Sequence, residues 1–139
     1  MNMYEIGLLH ARSDRVLRAK VAGLLESSKI TMIEWLLLGV VAEGSSKGMT
    51  MSEIAQSLHV TLPQVTALVN KLLPLKLVKQ KSASNDRRSR LVSLTSKGEL
   101  VLDENKKLLD KARSDIFGDA TDDEVAAYIK ILTNLSVVG

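Results

Sequence analysis

Residues 77–81 (Leu-Val-Lys-Gln-Lys) and 91–94 (Leu-Val-Ser-Leu) are two short segments in which apolar and polar residues alternate imperfectly. A period of two puts successive side chains on opposite faces, so each segment is predicted to be a half-buried strand. The polar residues 82–90 between them make the pair a hairpin with an exposed tip. Upstream the period lengthens to that of a helix. Apolar residues fall at Ile54, Ala55 and Leu58, then at Val60, Val65, Leu68, Val69 and Leu72. This predicts two short helices, residues 52–57 and 61–73, crossing at a turn formed by Leu58-His59-Val60, with small Ala55 permitting close approach. Thr61 and Gln64 are spaced for a capping box at the start of the second helix, and Pro63 falls in its first turn, where a missing N–H matters little.

The flanks carry longer helical stripes. Residues 4–26 place Ile6, Leu9, Val16, Leu17, Val21, Leu24 and Leu25 on one side, interrupted by Ser13 and Lys20. Residues 96–117 are expected to be one amphipathic helix with Val101, Leu108, Leu109, Ala112 and Ile116 as its stripe, ended by Gly118. Thr121 and Glu124 open a last helix with Val125, Tyr128, Ile129, Leu132 and Leu135 on one face, and Thr31/Glu34 and Thr50/Glu53 repeat the same start signal. Gly44-Ser45-Ser46-Lys47-Gly48 reads as a loop before Thr50. The expected fold is mainly α with a small β-wing, a winged helix-turn-helix in a single domain over residues 1–139. A lobe of about residues 31–97 is flanked by helices over about 3–26 and 98–138. Those outer stripes need a partner, either each other within one chain or a second copy.

Charge sharpens the picture. The net charge of +3 is uneven: residues 1–70 balance, residues 71–97 carry eight bases against Asp86 alone, and residues 98–139 are net acidic. The surplus comprises Lys71, Lys76, Lys79, Lys81, Arg87, Arg88, Arg90 and Lys97, and so sits on the hairpin and the helix leading into it. A basic hairpin after a helix-turn-helix is a footprint for a polyanion, with the second helix entering the major groove of duplex DNA and the tip reaching the minor groove or its phosphates. Val65, Leu68, Val69 and Leu72 face inward by periodicity. That leaves Thr61, Leu62, Pro63, Gln64, Thr66, Ala67, Asn70 and Lys71 outward as candidate DNA-contacting residues. Gln64 either pairs with adenine or is held by the Thr61 cap; Leu62, Pro63 or Ala67 can touch a thymine methyl. On the wing the candidates are Lys79, Lys81, Asp86, Arg87, Arg88 and Arg90. Asp86 lies two residues before Arg88, so both side chains can point the same way, Asp86 orienting the arginine that enters the minor groove.

Other classes are disfavoured by what is missing. The chain has no cysteine, two isolated histidines and only four aromatics, Tyr4, Trp35, Phe117 and Tyr128. Disulfides, thiolate metal sites and cysteine-based oxidant sensing are therefore excluded, and the core must be aliphatic. No nucleophile–base pair, metal cluster or phosphate loop is present, so neither catalysis nor a cofactor is expected. No apolar run approaches the roughly 20 residues of a membrane helix, and the N-terminus lacks the apolar core of a signal peptide, so a cytoplasmic protein with no membrane partner is expected.

Trp35 behind Thr31, Ser52-Glu53-Ile54-Ala55, Val65-Thr66, Leu68-Val69-Asn70-Lys71-Leu72, Leu77-Val78, Asp86-Arg87-Arg88 and Leu94-Thr95-Ser96-Lys97-Gly98 together resemble the MarR family of bacterial transcription regulators. The likeness runs in register from Thr31 to Gly98. The chain departs from the family pattern at Ala67, where an arginine is usual, at Asn70-Lys71 for Asp-Arg, at Leu75-Lys76 for Lys-Gly, and at Pro74 for a glutamate. The resemblance implies a homodimer interleaved through its terminal helices, repression at a pseudo-palindromic operator, and control by a small aromatic acid or other apolar anion bound beside the DNA-binding lobe. His10, Arg12, Arg15 and Trp35 are the candidate effector contacts. The competing reading from another class is a winged-helix protein-interaction module that uses the same fold without reading DNA.

Overall fold

Five helices begin on a reciprocal capping box, in which the cap side chain accepts the N3 backbone N–H and the N3 side chain accepts the cap backbone N–H: Asn2/Glu5, Thr31/Glu34, Thr50/Glu53, Thr61/Gln64 and Thr121/Glu124. Each box satisfies two donors that a helix start otherwise leaves orphaned, so these local signals fix where the helices begin. The structure, a computed structural model, describes residues 1–82 and 90–137. Helix α1 spans Met3–Leu25, α2 Met32–Glu43, α3 Met51–Leu58, α4 Leu62–Leu72, α5 Ser96–Lys111, α6 Arg113–Phe117 and α7 Asp122–Ser136; strands β1 (Met49–Thr50), β2 (Val78–Ser82) and β3 (Arg90–Leu94) lie between them.

The strands form one antiparallel sheet in the order β1-β3-β2. Val78 pairs with Leu94 and Ser82 with Arg90, while Met49 pairs with Val92. The hairpin thus acquires a third strand. The sequence showed no strand at Met49-Thr50, because two residues are too few for a period to show. Gly48 makes that approach possible: its φ is 105°, and a Cβ there would come within 2.8 Å of the Val92 carbonyl oxygen.

One aliphatic cluster fills the space between α2, α3, α4 and the sheet. Leu37, Leu38, Ile54, Val65, Val69, Leu72 and Val92 are fully buried within it, and Leu102 of α5 closes one side. Each such side chain contributes about 1.5–3 kcal/mol by leaving water. The inward positions expected for α4 hold.

One expectation for the C-terminal half does not hold. The single helix over residues 96–117 is interrupted at Ala112 (φ −85°, ψ 4°), giving α5 and α6. Neither glycine nor proline marks the break. It lets α6 set Phe117 edge-on against Tyr128 of α7 (centroids 6.3 Å apart, 75° between planes) and the Asp115 carbonyl on the Lys20 ammonium. Within the chain α5 buries Gly98, Leu102 and Asn105, with Val101 partly buried against the core and Leu108 exposed. Asn105 is sustained there by donating to Ser28 Oγ (2.9 Å) and the Val101 carbonyl (2.8 Å).

The terminal helices remain largely uncovered. α1 buries only Val21 and Leu25, and α7 buries no residue. Tyr4, Ile6, Leu9 and Val16 on α1, Phe117 on α6, and Ile129, Ile131, Leu132 and Leu135 on α7 are all exposed. Among the described residues no helix is long and apolar enough to cross a membrane.

Candidate nucleic-acid interface

α3 and α4 meet at a tight turn whose geometry depends on His59. Its φ of 55° is left-handed, and its N–H bonds the Gln56 carbonyl (3.3 Å) while Val60 N–H bonds that of Ala55 (3.0 Å). This closes α3 and releases the chain into the Thr61 cap. α4 then turns Val65, Val69 and Leu72 inward and leaves Leu62, Pro63, Gln64, Thr66, Ala67, Asn70 and Lys71 exposed together with Thr61, as expected.

Their hydrogen bonds decide what these side chains can offer. Gln64 Oε1 accepts from Thr61 N–H (2.8 Å) and from Thr61 Oγ1 (3.0 Å), so of the two alternatives for Gln64 the cap is realised. The amide NH₂ remains available as a donor, but bidentate pairing with adenine would need Oε1 as well. Thr66 Oγ1 donates to the Leu62 carbonyl at 3.1 Å, which leaves its methyl and lone pairs outward. Lys71 is different: its ammonium lies 2.9 Å from Oε1 of Glu34, a residue 1% exposed on α2. The sequence assigned Glu34 only to capping, which it also performs. Nothing in the local pattern shows that the end of α4 would fall beside it.

The wing separates its bases by face. Lys79 and Lys81 pair with Ser93 and Leu91, and alternate with Val78 and Gln80 on β2. Arg90 shares the other face with Gln80, to whose Oε1 it donates at 3.4 Å. Lys79 lines a cleft of about 430 Å³ with Ser45, Ser93, Glu99, Asp103 and Lys106. Asp86, Arg87 and Arg88, the tip residues, lie outside the described residues.

Lys97 is exposed and keeps its charge, while its ammonium donates to the Leu75 carbonyl at 3.0 Å. It belongs to a clamp formed by the Leu94-Thr95-Ser96-Lys97-Gly98 motif. Thr95 N–H donates to the Leu77 carbonyl (3.1 Å), the Thr95 hydroxyl to that of Lys76 (2.5 Å), and Gly98 packs directly on Leu77. The motif therefore anchors the base of the wing to the turn after α4. In that turn Lys76 stands where relatives of the pattern carry glycine, and its φ is 60°.

The candidate effector residues are not brought together within one chain. His10 and Arg12 line a groove of about 720 Å³ between α1, α6 and α7 with Phe117, Tyr128 and Leu132. Trp35 lines a separate cavity of about 220 Å³ with Leu36, Gly39, Val40, Glu43, Leu102 and Lys106. Arg15 borders neither.

A helix-turn-helix with an exposed second helix, backed by a three-stranded wing, defines a winged helix-turn-helix protein. Residues 28–89 match the MarR family. Its fold is similar to CouR from Rhodococcus jostii in its complex with p-coumaroyl-CoA, at 22% identity and TM-score 0.85, covering 96% of this chain and 93% of that one. It is similar to MepR of S. aureus in a DNA complex, at 23% identity and TM-score 0.79, covering 92% and 93%. A third likeness is to BpsR of Bordetella bronchiseptica, whose DNA binding is regulated by 6-hydroxynicotinic acid, at 20% identity and TM-score 0.85, covering 100% and 99%.

Proposed function

We propose that the protein is a sequence-specific, double-stranded DNA-binding transcription regulator. It acts in the cytoplasm as a homodimer, represses from a pseudo-palindromic operator, and is released by a small anionic aromatic effector. It works by binding and carries out no catalysis. The observation that carries the reading is α4. One side is locked into the core through Val65, Val69 and Leu72, and the N-terminal half of the other presents Leu62, Pro63, Gln64, Thr66 and Ala67 to solvent beside a basic wing. A rigid helix with short, weakly charged side chains suits the major groove, and the lysines and arginines of the wing suit phosphate. In this reading Arg88, oriented by Asp86, enters the minor groove, with Arg87, Arg90 and Lys81 on the phosphates.

Dimerisation follows from the exposed apolar residues of α1, α6 and α7, which would leave a monomer with a large uncovered apolar surface. The residues outside the lobe, about 3–26 and 98–138, form that interface. For the effector, the relatives' CoA ester and hydroxynicotinic acid point to an aromatic acid. The Trp35 cavity suits an aromatic ring, being lined mostly by apolar side chains, with the buried Trp35 Nε1 lacking a hydrogen-bond partner among the described residues and with both Glu43 and Lys106 in its lining. A ligand there releases DNA only if it binds the DNA-competent arrangement less well than another.

The test is selection of bound genomic fragments, followed by affinity measurements on the selected duplex and a shuffled one between about 50 and 200 mM salt. A two-fold symmetric site with half-sites about 10 base pairs apart and a steep log–log salt slope is expected. Salt-independent or absent duplex binding would instead favour the protein-interaction module.

A further inference from the structure

The ion pair between Glu34 and Lys71 joins two parts of the fold that the DNA reading treats separately. Glu34 stands in the first turn of α2, 1% exposed, and Lys71 in the last turn of α4, 59% exposed. Oε1 of Glu34 caps Thr31 N–H at 3.3 Å and meets the Lys71 ammonium at 2.9 Å. Oε2 is buried and has no hydrogen-bond partner among the described residues. A carboxylate in this position depends on its cation, because taking Lys71 away leaves the buried Glu34 charge uncompensated. The ammonium is also well placed for the negative end of α4.

Moving Lys71 onto a phosphate would therefore strand Glu34. The remaining anchors of α4, Val65, Val69 and Leu72, are aliphatic and non-directional. A directional bond at the edge of that seam fixes the rotation and tilt of the helix, which the apolar contacts alone specify less tightly.

We propose that Lys71 is a positioning residue. Its pair with Glu34 holds the end of α4 against α2, sets how the exposed face of α4 meets a duplex, and keeps Lys71 itself off the phosphates. The proposal rests on the DNA-binding reading above.

The experiment is a double-mutant cycle read out as affinity for the selected duplex across a salt series, at a temperature where every variant is folded by far-UV circular dichroism. Lys71→Met keeps the aliphatic stem and helix propensity. Glu34→Gln keeps the cap, as Gln64 does in α4. Each single variant is expected to bind about fivefold more weakly at every salt concentration with parallel slopes, and the double variant no more weakly than either single one. Lys71→Arg, which can still reach the carboxylate, is expected to bind as the unmodified protein does. A Lys71→Met slope shallower by about 0.9 marks a phosphate contact and overturns the proposal, as do additive losses of about 25-fold in the double variant. An unmodified protein with no salt-dependent duplex binding overturns the functional reading and the proposal together, so the two failures are distinguishable.

Discussion

Gly98→Ala tests the seat of the wing. Gly98 lies in the first turn of α5, where alanine is intrinsically favoured over glycine by about 1 kcal/mol. Its surroundings reverse that preference. An added Cβ would stand 2.0 Å from the Leu77 carbonyl oxygen, 3.0 Å from its carbon and 3.4 Å from its Cα, all backbone atoms that cannot rotate away. An ordinary carbon–oxygen contact is about 3.3 Å, so α5 and the turn after α4 must separate by more than about 1 Å. Leu77 is held against that movement. Its N–H bonds the Leu72 carbonyl (3.3 Å), and its own carbonyl accepts from Thr95 N–H (3.1 Å). Opening the seat costs that second bond, about 1 kcal/mol, and overpacking strain of about 1–3 kcal/mol. Set against the propensity gain, the net loss is about 2 kcal/mol, or a midpoint about 6 °C lower for a chain of this size. Gly39→Ala is the matched control: it too sits inside a helix, but its Cβ would meet only Leu102 Cδ1 at 3.8 Å, so a gain of about 0.5–1 kcal/mol is expected. Guanidinium denaturation followed by circular dichroism at equal protein concentration measures both. A Gly98→Ala protein as stable as the unmodified chain would refute the described seating of α5 on Leu77.

Lys76 holds a left-handed backbone at φ 60°, so Lys76→Gly should stabilise the chain by about 0.5–1 kcal/mol in the same denaturation assay; a loss would mean the lysine side chain contributes there. Glu124 accepts the Thr121 backbone N–H and hydroxyl-side bonds, which hold its carboxyl below the usual carboxylate range. A depressed folded value adds stability that is present above the unfolded pKa and disappears as pH falls through the folded one. The stability difference between the unmodified chain and Glu124→Gln should therefore be largest near neutrality and vanish in acid; a pH-independent difference contradicts the assignment. Ile129→Glu places a charge on the 56% exposed apolar face of α7 and should halve the mass seen by light scattering at micromolar concentration; an unchanged mass would place the dimer contact elsewhere.

Where helices start, and which side of α4 faces the core, were legible in the sequence because both are local. A capping box needs residues three apart, and an amphipathic face needs a period, so Thr31, Thr50, Thr61 and Thr121 announced their helices and Val65, Val69 and Leu72 announced their burial. The outward set on α4 followed by subtraction. Long-range proximity was not legible. Glu34 and Lys71 are distant in sequence and each had a sufficient local explanation, as a cap and as a surface base, so only the crossing of α2 and α4 could make them a pair. Lys97 reads in the sequence only as a surface base, and the fold adds its bond to the Leu75 carbonyl. The break at Ala112 has no local marker, because its cause is the meeting of α6 with α1 and α7. Local geometry is written in neighbouring residues; which charges are free to meet a polyanion is decided only when distant parts of the chain come together and use some of them up.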